Sequence, residues 1–418
     1  MSAQHKIIIF LSGILLVFGA YAGEVLFIAT ADLHGDIEAF ARLSPVIRRY
    51  PGALKADAGD LIQGGYNAER YAGVPMFEAL NSLGYDIFVP GNHEFEFAPE
   101  HFIRWSRIFN GRILGVQWDY GKYSPVRHTV LQSGIYRIGV IGLGELKLYE
   151  RQKFYPGLHY REYLPALQSS IAALRPEKCD AIILICHVSP DGPGGRIFRI
   201  LRQFPEISAV VCAHSHQELP GMVIADRMVI QPGAKGKSAA LLKLHFSSDR
   251  RLQYVCGNLL YPGNGCDREI MAVKERTDKQ LQAEKSVVSG NFTSTAQFGI
   301  QTVRLLRRAY NVDAAIMVLG RQDICGTLNR EKLFQLLPYR NRVWIVKISL
   351  SDFKRLAGRM RKKKVYCFTD TAPGASGIIR AAVPDHVLWR AGEKLNISLE
   401  HIAGFERQRV IEELEKFR

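Results

Sequence analysis

Four short apolar runs in the first half of the chain each end just before a group of metal-ligand side chains, and this pattern constrains the fold most. Val25–Ala29 precedes Asp32-Leu33-His34, and Ile87–Val89 precedes Gly91-Asn92-His93-Glu94-Phe95-Glu96. Ala181–Ile185 precedes His187, and Ala209–Cys212 precedes His214-Ser215-His216, with Asp57-Ala58-Gly59-Asp60 lying between the first two groups. Ile113–Val116 and Ile138–Leu143 are further apolar runs. Several are apolar on both faces, as strands of a covered sheet are. Helical periodicity over Ile37–Arg49, Ala68–Leu83 and Tyr163–Leu174 fills the gaps. The reading is an α/β chain with its polar groups at the C-terminal ends of strands, where open sheets place their sites.

Those groups are rich in one chemistry. Asp and Asn oxygens and His nitrogens suit divalent cations such as Zn²⁺, Mn²⁺, Fe²⁺ or Co²⁺. Asp32-x-His34 and His214-x-His216 are read as extended segments whose alternate side chains point into one site. Asp57 reads as a turn or capping residue, and Asp36 as either a support for His34 or His93 or the cap of the helix that follows.

The blocks ADLHGD, DAGDLIQG, GNHEFE, ICHVSPDG and CAHSHQ, in that order over residues 23–235, resemble the calcineurin-like metallophosphoesterases. Within them the similarity is to the secreted 5′-nucleotidase, UDP-sugar hydrolase and 2′,3′-cyclic phosphodiesterase family. The resemblance implies an α/β sandwich followed by a smaller α+β domain, here shortened, and a site for two divalent cations. It assigns Asp32, His34 and His216 to the first cation, Asn92, His187 and His214 to the second, and Asp60 as the bridge. It implies attack on phosphorus by a hydroxide bridging the two cations, with Asn92 and His93 stabilising the charge that develops and His93 serving the leaving oxygen. In the family an Asp three residues after this His orients it. Glu96 stands at that position here, with the same charge on an arm one methylene longer, and a dyad of altered geometry is the expectation.

A chain of 418 residues suggests two domains. The first 22 residues read as a cleavable signal peptide: Lys6, an apolar stretch Ile7–Ala20, and Ala20-Tyr21-Ala22 before the cut. That implies a periplasmic or secreted protein without a stable membrane anchor. The formal charge of +15 favours anionic substrates or surfaces. No nucleic-acid recognition motif is present. Cys256 and Cys266 flank Pro262-Gly263-Asn264-Gly265, a turn that could join them as a disulfide in an oxidising compartment. The catalytic domain is placed at residues 23–266, closing on a hairpin over Ser247–Pro262. A linker helix at 267–290 follows, either a hinge or packed on the surface, then the second domain at 291–418.

The second domain carries fewer signals. Arg321 lies near the family's phosphate-binding arginine, but only Gly320 remains of its glycine pair, so Arg321 could bind phosphate or be exposed. Tyr366, Phe368 and Phe405 are available aromatics with nothing to mark a base clamp. The implied substrate is a small phosphate ester, with a nucleotide as the leading choice. Two other readings stay open: a sulfur-oxidation hydrolase with a similar two-metal site, and a non-catalytic envelope scaffold.

Overall fold

The structure is a computed structural model that describes residues 21–146, 152–192, 194–283, 287–292, 294–319, 326–337, 340–362, 366–391, 397–405 and 410. Two six-stranded sheets lie face to face. The first holds β1 (Tyr21–Thr30), β2 (Leu54–Asp57), β3 (Ile87–Phe88), β4 (Arg112–Ile113), β13 (Ala239–Ser247) and β14 (Leu252–Leu260), in the order β14-β13-β1-β2-β3-β4. The second holds β6 (His128–Ser133), β7 (Tyr136–Leu143), β9 (Ala181–Cys186), β10 (Ala209–Val211), β11 (Leu219–Ile224) and β12 (Arg227–Gln231), in the order β11-β12-β10-β9-β7-β6. β5 (Trp118–Tyr120) and β8 (Leu158–Tyr160) form a small separate ladder. β1 to β4 run parallel, as do β7, β9, β10 and β12.

The strand period of two explains the layers. Val25, Phe27 and Ala29 of β1 turn inward and pack with Ile138, Val140, Ile183 and Ile185 of the second sheet. Ile28 turns outward into a cluster with Phe40, Ile47 and Phe77 from helices Ile37–Ile47 and Val74–Ser82. On the other side Ile141, Leu143 and Leu184 meet Leu167 and Ile171 of helix Tyr163–Leu174 and Ile197 and Ile200 of helix Arg196–Gln203. Each such side chain, fully buried, contributes roughly 1.5–3 kcal/mol. The result is a helix–sheet–sheet–helix sandwich.

Several boundaries differ from the sequence reading. Helix Ala68–Leu83 is two helices, Tyr66–Arg70 and Val74–Ser82, because Gly73 adopts φ +83° and Pro75 starts a new helix. Asp36 caps helix Ile37–Ile47, accepting the Ala39 N–H at 2.9 Å. The hairpin begins earlier than Ser247, pairing β13 with β14 from Ala239 to Leu260. The linker helix stops at Ala283. Val287–Phe292, with its β-branched pair, forms a strand β15 against β17 (Gly326–Asn329). Helix Arg268–Ala283 packs on helices Ile37–Ile47 and Val74–Ser82, burying Ile270 and Val273. Cys256 and Cys266 are exposed free thiols. Cys256 is held in the ladder opposite Lys243, 3.6 Å from His245 Nε2, and the strand runs on to Leu260 before the turn. The apolar stretch Ile7–Ala20 expected as the core of a leader lies outside the described residues, and no described helix is long and apolar enough to cross a membrane.

The C-terminal half builds a five-stranded sheet from β16 (Ala314–Leu319), β18 (Arg342–Ser349), β19 (Tyr366–Thr371), β20 (Ile378–Pro384) and β21 (Ile397–Phe405), in the order β19-β16-β20-β18-β21. Helix Thr295–Ala309 covers one face through Phe298, Val303 and Leu306. Helices Leu350–Lys362 and Asp385–Ala391 lie on the other. Phe154 and Tyr155 of the sandwich meet Trp344 and Trp389 of this half, with ring centroids 5.7 to 6.3 Å apart.

Candidate active site

Loops leaving the C-terminal ends of β1, β2, β3, β9 and β10 converge at one edge of the sandwich. They bring together Asp32, His34, Asp60, Asn92, His93, His187, His214 and His216. Donor atoms of Asp32, His34 and His216 lie within 4.8 Å of one another, as do those of Asp60, His187 and His214, and those of His34, Asp60 and His93. Asp60 belongs to two of these groups and shares one with His34, so it stands between the rest.

The convergence is not achieved by extended segments. Asp32, His34, Asp60, His214 and His216 all have positive φ, between 49° and 78°. Non-glycine residues rarely sit there, and each costs energy that the surrounding fold must impose. Tight left-handed turns, not strand alternation, aim these side chains, which corrects the reading of Asp32-x-His34 and His214-x-His216. The loops also pack closely. A Cβ on Gly91 would lie 2.3 Å from Asp60 Oδ1 and 2.7 Å from the His187 ring, so only glycine fits.

Each ring is oriented from behind. His34 Nδ1 sits 2.9 Å from the Gln63 carbonyl and His187 Nδ1 2.7 Å from that of Ala58, which fixes Nδ1 as the protonated nitrogen and turns Nε2 into the site. Burial, reinforced by His93 and His216 against the pull of Asp60, lowers His34 to about 4, so it is neutral at neutral pH. Burial opposes a charge on His187, yet Asp60 at 3.1 Å raises it to about 10, so a cation binding there must displace a proton. Asp60, despite its burial, is held well below the usual carboxylate range by His187 and His93.

The donor set fits divalent cations. Asp32 Oδ1 and Asn92 Oδ1 are buried polar atoms with no hydrogen-bond partner among the described residues. Such atoms cost about 1–3 kcal/mol each unless something else satisfies them. A carboxylate and an amide oxygen of this kind, set among imidazole nitrogens at one edge, suit a borderline metal.

His93 stands beside this cluster. Its Nδ1 lies 2.6 Å from Glu96 Oε1, and its Nε2 lies 3.9 Å from Asp60 Oδ2. The extra methylene of Glu96 therefore still delivers a carboxylate oxygen within hydrogen-bond range. The His93 side chain keeps 18% of its surface exposed, enough to meet a bound molecule. Burial disfavours its charge, but Glu96 foremost and then Asp60 raise it to about 10.

One group escaped the sequence reading. Glu94, fully buried, accepts four backbone N–H groups: Asp60 at 3.0 Å, Gly91 at 2.8 Å, Leu61 at 3.0 Å and Ile62 at 3.3 Å. It thereby ties the Asp60 loop to the Asn92 loop. The signal was available, since Glu94 lies in a stretch without a nearby Lys or Arg and is followed by the apolar Phe95. Asp57, read from the sequence as a turn or capping residue, does accept the Gly59 N–H at 3.0 Å; it is also fully buried, accepts from Thr30 Oγ1 at 2.7 Å, and burial raises its carboxyl to about 8. Arg321 lies outside the described residues. Phe368 packs against the core of the C-terminal sheet, while Tyr366 is exposed.

The fold that carries this cluster is shared with known proteins. The model of the calcineurin-like phosphoesterases matches residues 25–218. Those residues form a calcineurin-like phosphoesterase domain. A 2′,3′-cyclic-nucleotide 2′-phosphodiesterase/3′-nucleotidase of Haemophilus influenzae is 22% identical over 245 residues, covering 47% of this chain and 37% of that protein. The match spans less than half the length of the first curated relatives. Among solved structures, a putative 5′-nucleotidase of Staphylococcus aureus superposes with a TM-score of 0.75 at 15% identity, covering 93% of this chain and 96% of that one. The 5′-nucleotidase precursor of Thermus thermophilus gives 0.69 at 15% identity, covering 94% and 97%. The shared fold thus extends from the phosphoesterase domain through the C-terminal sheet.

Proposed function

We propose that this chain is a metal-dependent phosphoric ester hydrolase, with nucleoside monophosphates or nucleotide phosphodiesters as its preferred substrates, acting outside the cytoplasm after export by its leader. The observation that carries this reading is the convergence of seven ligand-type side chains on one edge, two of them, Asp32 and Asn92, with buried oxygens otherwise unpartnered among the described residues. The names of the relatives support the substrate class, and the full ligand set speaks against a mere scaffold.

Asp32, His34 and His216 would hold one divalent cation, His187, His214 and Asn92 a second, with Asp60 between them. When bound, the cations supply Lewis-acid stabilisation of the phosphoryl charge and lower the pKa of water to near neutrality. The chain's own residues do the rest. The Asn92 amide, with its Oδ1 turned inward, leaves its Nδ2 to donate to a phosphoryl oxygen. His93, protonated and exposed toward the cluster, would give its Nε2 proton to the leaving oxygen. Glu96 accepts from His93 Nδ1 and so holds the ring in the donating orientation.

Phosphate release tests this directly. The panel is an aryl phosphate, an aryl phosphodiester, AMP, 2′,3′-cyclic AMP and UDP-glucose, each with Mn²⁺ and with Zn²⁺, beside Asp60→Asn. AMP turnover well above that of the aryl ester, abolished in Asp60→Asn, is the expected result. Turnover of aryl esters alone would discard the nucleotide preference. No turnover of any ester would overturn the phosphohydrolase reading.

A further inference from the structure

The Phe95-Glu96-Phe97 segment that carries the partner of His93 is gripped by the C-terminal half of the chain. Arg342, the first residue of β18, is only 5% exposed, although it lies 247 residues from Phe95. A guanidinium so buried persists only where its donors are satisfied. Its Nη2 donates to the Phe95 carbonyl at 3.1 Å and to the Tyr120 hydroxyl at 3.0 Å, and its guanidinium carbon lies 4.8 Å from the Tyr155 ring centroid. Tyr120 passes the contact on, its hydroxyl donating to the Phe97 carbonyl at 3.1 Å. Two residues earlier, the Arg340 N–H donates to Glu96 Oε2 at 3.2 Å, and the Arg340 guanidinium lies 4.6 Å from the Phe97 ring centroid. All three residues of the segment are therefore held from the same side, and the two Glu96 oxygens are divided between His93 and the C-terminal half.

We propose that Arg342 is a positioning residue for the reaction: it fixes the Phe95–Phe97 backbone and so aims the Glu96 carboxylate that orients His93. The longer Glu arm makes this necessary, because an additional rotatable bond must be immobilised for Oε1 to stay 2.6 Å from His93 Nδ1. The C-terminal sheet thus completes the catalytic dyad, whatever it contributes to substrate binding. This rests on His93 acting as the proton donor to the leaving group.

A leaving-group comparison separates positioning from simple destabilisation. The metal-loaded protein and its Arg342→Met, Arg342→Lys and Tyr120→Phe variants are assayed on AMP, which needs its leaving oxygen protonated, and on 2,4-dinitrophenyl phosphate, which does not. The expected result for Arg342→Met is a kcat on AMP lower by about 100-fold, with the dinitrophenyl ester changed only a few fold. Arg342→Lys should recover part of the loss, and Arg342→Met should add nothing in a His93→Ala background. Equal losses on both esters, or additivity with His93→Ala, would overturn the proposal. A second readout does not need activity: the His93 Nδ1–H proton resonance, identified by its absence in His93→Ala, should be present in the parent and lost or broadened in Arg342→Met. If the parent hydrolyses neither ester, the functional reading fails while this resonance still decides the clamp. If Arg342→Met does not fold, Tyr120→Phe carries the test, and an unchanged ester ratio with an unchanged resonance in that variant overturns it.

Discussion

His34 Nε2 lies 3.0 Å from His216 Nε2. His34 Nδ1 is already committed to the Gln63 carbonyl, so its Nε2 offers a lone pair toward the second ring. Beside them Asp32 Oδ1, 3.5 Å from His216 Nε2, has no hydrogen-bond donor among the described residues. Two acceptor atoms, His34 Nε2 and Asp32 Oδ1, flanking the His216 imidazole nitrogen form a donor set suited to a cation. Divalent metal should therefore bind the folded state and stabilise it, by about 2.7 kcal/mol per site at a concentration one hundred times its Kd. Chelation should lower the thermal midpoint, and Mn²⁺ or Zn²⁺ should restore it. His216→Ala, at an exposed position, should fold normally and retain fewer metal equivalents by elemental analysis. A midpoint indifferent to chelator in the parent protein would contradict this.

Glu94 governs a different property, the distance between the two loops it bridges. Its oxygens accept from Asp60, Leu61, Ile62 and Gly91, four donors that only a carboxylate can satisfy together. In Glu94→Gln the amide nitrogen must face backbone N–H groups, leaving at least one of them buried and unpaired. A stability loss of about 1–3 kcal/mol is expected. Metal affinity should fall as well, because Asp60 and Asn92 lose their common anchor, and loss of an outer partner of this sort typically costs about 10–100-fold in affinity. Denaturant titration with and without metal reads both. A Gln variant with unchanged metal affinity would show that the loops are held by other contacts.

The positions of the ligand groups were legible because their strands are buried on both faces. β1, β9 and β10 read as continuous apolar runs, and each delivers its polar group where the run stops. Spacing could not reveal how the groups are aimed. The left-handed turns at Asp32, His34, Asp60, His214 and His216 follow from packing between loops far apart in sequence, and none of these residue types demands positive φ. Glu94 was hidden for the same reason, since three of its four donors lie 32 to 34 residues away. Arg342 was further still from its partners, and as one arginine among many in a basic chain it carried no local mark. Local chemistry did decide the helix break at Gly73 and the strand at Val287–Phe292, but helical periodicity on either side obscured both.

The cysteines give a sharper contrast between turn chemistry and ladder geometry. Cys256 and Cys266 are both exposed and free, the first fixed by strand pairing and the second beyond the turn. A thiol reagent added to the native protein, without reductant, should therefore label these two rapidly. Cys186 and Cys212, buried with Sγ atoms 3.9 Å apart, should stay unlabelled until unfolding. Peptide mapping after labelling would distinguish this from a Cys256–Cys266 bond, which would leave both peptides unmodified and linked.

Asp385 supplies the clearest pH dependence away from the ligand cluster. Its carboxyl is 1% exposed and accepts the Arg342 N–H at 3.2 Å and the His386 N–H at 2.7 Å. Burial raises it, Arg342 pulls it down, and Glu96 pushes it up again, for a value of about 7. The unfolded chain has this group near the ordinary value of about 3.9. The folded state therefore holds the proton more tightly than the unfolded state does. The stability this confers is fully present below about pH 4 and is lost as pH rises through about 7. Asp385→Asn keeps the shape and removes the titration. The stability of the parent relative to this variant should decline between about pH 4 and pH 7, by at most about 4 kcal/mol, and level off above about pH 8. Thermal midpoints of the two proteins across that range check it, and a difference that does not change with pH would mean that Asp385 stays ionised beside Arg342 throughout.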